Sequence, residues 1–165
     1  MKQGTLGEDL FEQWLVSRGL EKGKDFVRYT WEDNPEEQRN HIDFLVKGQG
    51  VDVKWGTTVS HYGNITAEYK QIKHYLAGKK EELPGNWLRD CKSKYMLYGD
   101  MVYRKFYVVD VDRLRQFIAD PKLFRQFVTK HMTNDGGIYS FFYAMPYSVL
   151  EGARVIIGEI CLGDK

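Results

Sequence analysis

Residues 41–55 read HIDFLVKGQGVDVKW, and this stretch decides the fold. Two short runs at 41–46 and 51–55 are rich in apolar residues that favour strands, and they flank Lys47-Gly48-Gln49-Gly50. Glycines at such a position between two strand-like runs are typical of a β-hairpin. The sequence therefore predicts two antiparallel strands joined by a tight turn.

One face of this predicted hairpin is apolar and the other is polar, because side chains alternate between the two faces of a strand. The apolar face comprises Ile42, Phe44, Val46, Val51, Val53 and Trp55, and the polar face comprises His41, Asp43, Asp52 and Lys54. With a turn at Lys47-Gly48, Val46 pairs with Gln49. Asp43 then lies directly opposite Asp52, with Cβ atoms about 5 Å apart.

Two directly opposed carboxylates indicate a site that a positive charge must neutralise. Like charges across a strand pair are destabilising, and one of the two carboxyl groups should have a raised pKa unless a positive charge compensates. A hard divalent cation such as Mg²⁺ compensates with one or two carboxylates and keeps its other positions for water and phosphate. Lys54 lies on the same face as Asp52 and adds a compact positive charge. The alternative is an exposed hairpin that simply has a charged outer face.

The segments on either side of the hairpin predict alternating helices and strands. The first helix begins at Thr5, which forms a capping box with Glu8, and ends at Gly19. The other predicted elements are a strand at 25–31, a polar loop at 32–40, a helix at 66–77, a basic loop at 79–94, strands at 95–98 and 103–109 around a Gly99-Asp100 turn, helices at 111–119 and 122–131, a strand at 138–144, a helical turn at 146–150 and a strand at 154–160. This order predicts an α/β protein with a mixed sheet flanked by helices, in one domain spanning residues 1–165.

The composition narrows the functional classes. A 42% apolar fraction in 165 residues supports a real core, and a net charge of +1 means that a nucleic-acid partner would need a local basic face. The N-terminal stretch has acidic interruptions, so we expect no signal peptide. The longest apolar run, 141–145, is far too short to span a bilayer. Cys91 and Cys161 form no CxxC motif and favour a reducing, cytoplasmic setting.

The segments His41-Ile42-Asp43 and Asp52-Val53-Lys54 together resemble the bipartite motif of the PD-(D/E)XK nucleases, which have the restriction-endonuclease-like fold. The family core runs α-β-β-β-α-β, and the predicted elements follow that order over about residues 5–109, with a C-terminal α+β extension over about 110–165. The chain departs from the motif in one place, since Ile42 stands where the family's proline would be.

The resemblance implies a role for each matching residue. Mg²⁺ would be held by Asp43, Asp52, the carbonyl of Val53 and Glu8, and Mn²⁺ should substitute for it. Lys54 would orient or activate the attacking water. The segment Gly4-Thr5-Leu6-Gly7-Glu8 resembles the corresponding segment of the resolvase-like branch, and Glu12, one turn later, is the alternative to Glu8. Some members carry a glutamine on the helix after the lysine strand, and Gln71 is the candidate.

The implied function is that of a metal-dependent DNA endonuclease, a phosphodiester hydrolase that is sequence-specific, structure-dependent or nicking. The alternatives are a non-catalytic DNA-binding or assembly protein that keeps the fold, and a nuclease acting on RNA. The candidate DNA-binding residues are Lys70, Lys73, Lys79, Lys80, Arg89, Lys92 and Lys94, and a solvated charged surface is the other reading. Four aromatic residues have two possible uses, stacking on unpaired bases or packing in the core: Trp55, Tyr62, Trp87 and Tyr95. The basic helices near the C-terminus could contact DNA or form a homodimer.

Overall fold

Two β-sheets with flanking helices make up the fold in the computed structural model, which describes residues 3–84 and 86–163. The elements in chain order are α1 (Gln3–Ser17), β1 (Phe26–Arg28), α2 (Pro35–Arg39), β2 (Phe44–Val46), β3 (Gln49–Gly56), α3 (Thr58–Tyr62), β4 (Asn64–His74), β5 (Lys80–Glu82), α4 (Trp87–Asp90), β6 (Tyr95–Asp100), β7 (Lys105–Asp110), α5 (Val111–Ala119), α6 (Pro121–Phe127), β8 (Thr129–Asp135), β9 (Ile138–Pro146), α7 (Tyr147–Gly152) and β10 (Ile156–Cys161). The protein therefore belongs to the α/β class with a mixed sheet. Within the described ranges no helix is both long and apolar enough to cross a membrane.

The main sheet has the strand order β1-β2-β3-β6-β7-β10. All neighbours are antiparallel except β3 and β6, which are parallel. The predicted hairpin is confirmed, since β2 and β3 pair in the register Val46↔Gln49 around a Lys47-Gly48 turn. Lys47 and Gly48 have φ values of 46° and 79°, as the two central residues of a type I′ turn require.

The second sheet has the order β5-β4-β9-β8 and is antiparallel throughout. Its strands β4 and β5, with the short helices α3 and α4, form the connection between the parallel strands β3 and β6. The chain after Asp110 is built into both sheets, because it supplies β8 and β9 to the second sheet and β10 to the edge of the main sheet.

Two hydrophobic clusters lie on opposite faces of the main sheet. Helix α1 packs Phe11 and Leu15 onto one face, against Phe44, Val53 and other apolar side chains. The second cluster comprises side chains from the other face of β6 and β7 together with the second sheet and α5, among them Met96, Tyr98, Val109, Ile65, Met145 and Leu114. Asp52 and Lys54 are in register with Met96 and Tyr98, so the polar face of the hairpin belongs to the side of the sheet that faces β4 and β9.

Five of the sequence predictions differ from the structure. Residues 66–77 form most of strand β4 rather than a helix, because pairing with β9 over Asn64–His74 satisfies the backbone despite several helix-favouring side chains. The predicted loop at 32–40 contains the short helix α2, which begins with Pro35. The predicted basic loop at 79–94 contains strand β5 and the short helix α4. The predicted helix at 122–131 ends at Phe127, and β8 starts at Thr129. Thr5 lies inside α1 and therefore does not cap it.

The remaining differences are shifts of the element ends. The first strand is shorter than predicted, at Phe26–Arg28, and the turn between β6 and β7 lies at 101–104 rather than at Gly99-Asp100. Helix α5 has the predicted bounds, and the Asp110 side chain caps it by accepting a hydrogen bond from the N–H of Arg113 at 3.0 Å.

Candidate active site

Asp43 lies just beyond the end of the β2–β3 ladder. The last ladder pair is Phe44↔Val51, and the N–H of Asp43 still donates to the carbonyl of Val51 at 2.9 Å. The Asp43 carboxylate then takes the place of a strand, because its Oδ2 accepts the N–H of Val53 at 2.7 Å. The carbonyl of Val53 leaves β3 on the same side as its N–H, and therefore beside the Asp43 carboxylate.

Asp52 is held from two sides. Its side chain is 1% exposed, its Oδ1 accepts a hydrogen bond from Lys54 Nζ at 2.8 Å, and its Oδ2 accepts one from Trp87 Nε1 at 2.8 Å. Trp87 stands on α4, so the connection between β3 and β6 fixes the orientation of this carboxylate. A carboxylate oxygen has two lone pairs, so each oxygen of Asp52 keeps one acceptor position beyond these bonds.

Burial and neighbouring charges shift the pKa values of Asp43 and Lys54. Burial and the charge of Asp52 raise the pKa of Asp43 to about 7, against the opposing effects of the Lys54 ammonium and the Val53 N–H. Burial lowers the pKa of Lys54, but the charges of Asp52 and Asp43 outweigh it, so the pKa lies above the usual lysine value. Lys54 is therefore an ammonium at neutral pH, and it acts as a hydrogen-bond donor and a positive charge rather than as a base.

One cavity of about 470 Å³, which we call the carboxylate cavity, brings the predicted site residues together. It is lined by Glu8, Trp31, Gln38, His41, Asp43, Asp52, Val53, Lys54 and Trp55. Of the residues that the sequence singled out as metal-binding or catalytic, all except Gln71 line it: Asp43, Asp52, Val53, Lys54 and Glu8. They come from α1, from the position just before β2 and from β3, so the antiparallel hairpin and the helix packed on it create the site.

Glu8 has a partner that the sequence did not reveal. Its carboxylate bonds Arg28 at 2.9 Å, and the same guanidinium bonds Asp9 at 2.6 Å and Glu12 at 2.9 Å. Glu8 also lines the carboxylate cavity, and its charge contributes to the raised pKa of Asp43. Glu12, the alternative to Glu8, bonds the same Arg28 and also Lys22, and it does not line the carboxylate cavity. Arg28 was missed because its acidic partners lie at least 16 residues away in the sequence.

Gln38 and His41 complete the wall beside Asp43. Gln38 Nε2 donates to Asp43 Oδ1 at 3.1 Å and also to the carbonyls of Tyr29 and Ile42, so α2 orients this carboxylate. His41 has a left-handed backbone with φ 55°, which interrupts the strand before Asp43. Because of this interruption, Ile42 does not share the apolar face of the hairpin as predicted. Its Cγ2 lies 3.5 Å from where a Cβ on Gly50 would be, and Gly50 is on the same face of β3 as Asp52. Burial lowers the pKa of His41.

The structure places Gln71 outside the carboxylate cavity. Gln71 stands on β4 rather than on a helix, and its amide donates to Glu68 at 3.0 Å and to Ser140 at 2.9 Å. Both Glu68 and Gln71 line a neighbouring cavity of about 710 Å³, the outer cavity, which shares Trp31, Gln38 and His41 with the carboxylate cavity. Burial raises the pKa of Glu68. The sequence analysis missed Glu68 because it predicted a helix here. The side chains of a helix point in other directions than those of a strand.

The predicted DNA-binding residues are dispersed. Arg89 and Lys92 line the outer cavity, and Arg89 also bonds Asp90 at 2.6 Å. The others lie elsewhere: Lys70 pairs with Glu82, Lys94 with Asp110 and Asp112, Lys73 and Lys79 lie against Tyr75, and Lys80 is exposed on β5. Among the predicted stacking residues, Trp87 is buried in the core and Tyr62 is 74% exposed.

The donor set fits Mg²⁺ better than a transition metal. No group of three or more His, Cys, Asp or Glu side chains in residues 3–84 and 86–163 is arranged to hold a metal ion. The set at Asp43 and Asp52 consists of two carboxylates beside a main-chain carbonyl, and Mg²⁺ typically binds through one or two carboxylates and retains water. A bound cation would also relieve the repulsion that raises the pKa of Asp43.

Comparison with known proteins gives no relative: no family model, no curated protein and no solved structure matches the chain. The function must therefore be argued from the arrangement of side chains around the carboxylate cavity and from the resemblance of two short motifs.

Proposed function

We propose that the protein is a metal-dependent endonuclease of the PD-(D/E)XK type that hydrolyses phosphodiester bonds in DNA. The observation that carries the proposal is that a single cavity contains the Asp43 and Asp52 carboxylates and the Lys54 ammonium, with Glu8 and Val53 beside them. Two carboxylates and a lysine on one sheet face are the minimal parts for metal-assisted hydrolysis of a phosphodiester.

Asp43, Asp52 and the carbonyl of Val53 would hold Mg²⁺, which when bound lowers the pKa of a coordinated water and neutralises phosphate charge. The protein supplies the orientation. Trp87 holds one oxygen of Asp52 and Gln38 holds one of Asp43, so both carboxylates are fixed before a substrate arrives. Lys54, whose side chain is 41% exposed, donates from its ammonium to a non-bridging phosphate oxygen and stabilises the charge that develops in the transition state.

The strand order supports the proposed family for α1, the first three strands and β6, but not for the connection between β3 and β6. An antiparallel meander of β1, β2 and β3, followed by β6 parallel to β3, with α1 packed on one face, fits an α-β-β-β start and a parallel fourth strand. The connection between β3 and β6 departs from the expected single helix, since it consists of two short helices and two strands of the second sheet.

The test is a cleavage panel. Wild type, Lys54→Met and Asp52→Asn are incubated with plasmid, branched DNA, single-stranded DNA and RNA, in Mg²⁺, Mn²⁺ or EDTA. The exposed Lys24, which pairs only loosely with Glu21 at 3.4 Å, provides the matched control Lys24→Met. We expect wild type and Lys24→Met to cut DNA with Mg²⁺ or Mn²⁺ and not with EDTA, and both site variants to lose at least about a hundredfold in rate.

Each failure has a distinct meaning. Equal rates for wild type, Lys54→Met and Asp52→Asn would refute the assigned site. DNA binding without cutting in any metal would favour the non-catalytic alternative, for which one observation speaks: Lys54 and Trp87 already donate to both oxygens of Asp52 without a metal. Cleavage confined to RNA would keep the mechanism and change the substrate.

A further inference from the structure

Trp31 is placed where an unpaired base would lie. It lines both the carboxylate cavity and the outer cavity, and it is 60% exposed. Exposure of so much of an indole is unfavourable unless the ring meets a partner. The other aromatic lining the carboxylate cavity is Trp55, which packs against Phe106 at a ring-centroid distance of 5.0 Å and supports the core.

Hydrogen bonds within the loop that carries Trp31 stabilise its backbone. It connects β1 to α2, and its turn is closed by a hydrogen bond from the Asn34 N–H to the Thr30 carbonyl at 2.8 Å. The Thr30 hydroxyl and the Asp33 side chain and N–H form a second layer of bonds at 3.2 Å. The backbone that carries Trp31 is therefore ordered beside both cavities before any ligand binds, which lowers the entropic cost of stacking.

The outer cavity has the chemistry of a nucleotide site. Its volume of about 710 Å³ lies in the range of small-molecule sites. Its polar lining comprises the amides of Gln38, Asn40, Gln71 and Asn86 and the cations of Arg39, Arg89 and Lys92, with Glu68 and Asp90 as the acids. Side-chain amides bond the edges of bases that are splayed out of a helix, and the cations suit the phosphates on either side.

From this arrangement we propose that the substrate presents at least one unpaired nucleotide, whose base stacks on Trp31 in the outer cavity while the neighbouring phosphate enters the carboxylate cavity. A continuous duplex cannot offer a base face to Trp31, because its bases are stacked on one another. The inference rests on the proposed function and narrows its substrate to single-stranded, flapped or gapped nucleic acid. The sugar is left to the test, since DNA and RNA share this chemistry.

The test measures binding and needs no cleavage. Fluorescence anisotropy of labelled oligo-dT, oligo-rU and a DNA duplex of the same length is recorded in EDTA and again in Ca²⁺, for wild type, Trp31→Ala and Trp31→Phe. The exposed Tyr103, which lines neither cavity, gives the control Tyr103→Ala. We expect Trp31→Ala to weaken single-strand binding by about tenfold, Trp31→Phe to recover most of it, and Tyr103→Ala to match wild type.

The outcomes separate this inference from the proposed function. Unchanged single-strand affinity in Trp31→Ala, or preferred binding of the duplex, overturns the inference even if Lys54-dependent cleavage is found. Trp31-dependent binding with no cleavage in any metal supports the inference and overturns the proposed endonuclease. Absence of binding to every oligonucleotide overturns both. Tighter binding of oligo-rU than of oligo-dT would assign the site to RNA.

Discussion

Replacing the Asp43 carboxylate with an amide should make the protein more stable at alkaline pH. The pKa of Asp43 is raised to about 7 in the folded state by burial and by the charge of Asp52, whereas an aspartate in an unfolded chain titrates near 4. Between these two pH values the native state holds a proton that the unfolded chain has already released. The free energy of unfolding therefore falls as pH rises from about 4 to about 7 and levels off above it.

The magnitude follows from the size of the shift. A rise from 3.8 to about 7 is roughly 3 pH units, or about 4 kcal/mol when the window is crossed completely. Between pH 5 and pH 8 wild type should lose about 2 to 3 kcal/mol relative to Asp43→Asn. The amide also faces Gln38 Nε2, which donates to Asp43 Oδ1 in the wild type, and this costs about 1 kcal/mol. That cost is independent of pH and leaves the pH-dependent difference unchanged.

The assay is thermal and urea unfolding of wild type and Asp43→Asn at pH 5, 6, 7 and 8 in EDTA. For a chain of this size about 1 kcal/mol corresponds to roughly 2 to 4 °C in Tm, so the Tm difference should grow by roughly 4 to 12 °C over the series in favour of the variant. The exposed Asp135 gives the control Asp135→Asn, which should run parallel to wild type. Parallel curves for Asp43→Asn would refute the raised pKa.

Three further outcomes follow from the site and its packing. Mg²⁺ added at pH 8 should raise the Tm of wild type and leave that of Asp43→Asn unchanged, because only a carboxylate at this position repels Asp52 and attracts the ion. Trp87→Phe should lower the free energy of unfolding by about 1 to 3 kcal/mol in urea, because Asp52 Oδ2 loses the N–H that lies 2.8 Å away. Gly99→Ala should lower it by about 3 kcal/mol, since a Cβ there would come within 2.7 Å of the Trp55 ring.

Each of these outcomes has a matched comparison. Trp31→Phe removes an exposed indole and should leave stability nearly unchanged, so an equal loss for both tryptophan variants would contradict the bond to Asp52. A Cβ on Gly152 meets nothing within 4 Å, and Gly152→Ala should therefore be tolerated. If Mg²⁺ raised the Tm of Asp43→Asn as much as that of wild type, the ion would be binding elsewhere.

The hairpin was predictable because its information is local. Lys47-Gly48 specifies the turn, the alternation from Phe44 to Trp55 specifies the faces, and both lie within one short stretch of sequence. Strand β4 was not predictable in the same way. Its partner β9 lies some seventy residues later in the chain, and only that pairing overrides helix-favouring residues such as Glu68 and Gln71.

The supporting residues of the site were missed for the same physical reason. The indole N–H of Trp87 meets Asp52 across 35 residues of sequence, and Arg28 meets Glu8 across 20. Nothing in the neighbourhood of either residue in the sequence indicates such a partner. Local motifs therefore indicate the side chains of the proposed site, while the groups that orient them emerge only when the sheets are assembled.

The cost of the carboxylate pair bears on whether it is there for structure or for chemistry. The register of the hairpin is already determined by the Lys47-Gly48 turn and by the burial of Phe44 and Val51, so a second charge beside Asp52 is not needed to form it. An amide at position 43 could also accept the Val53 N–H, at a cost of about 1 kcal/mol for facing Gln38, and would avoid the larger penalty that raises the pKa. What an amide could not supply is a second negative oxygen ligand for a cation.

A left-handed residue at His41, with φ 55°, adds local backbone strain at the same cavity. Destabilising features that converge on one cavity, and that no element of the fold requires, are typical of residues retained for binding and catalysis.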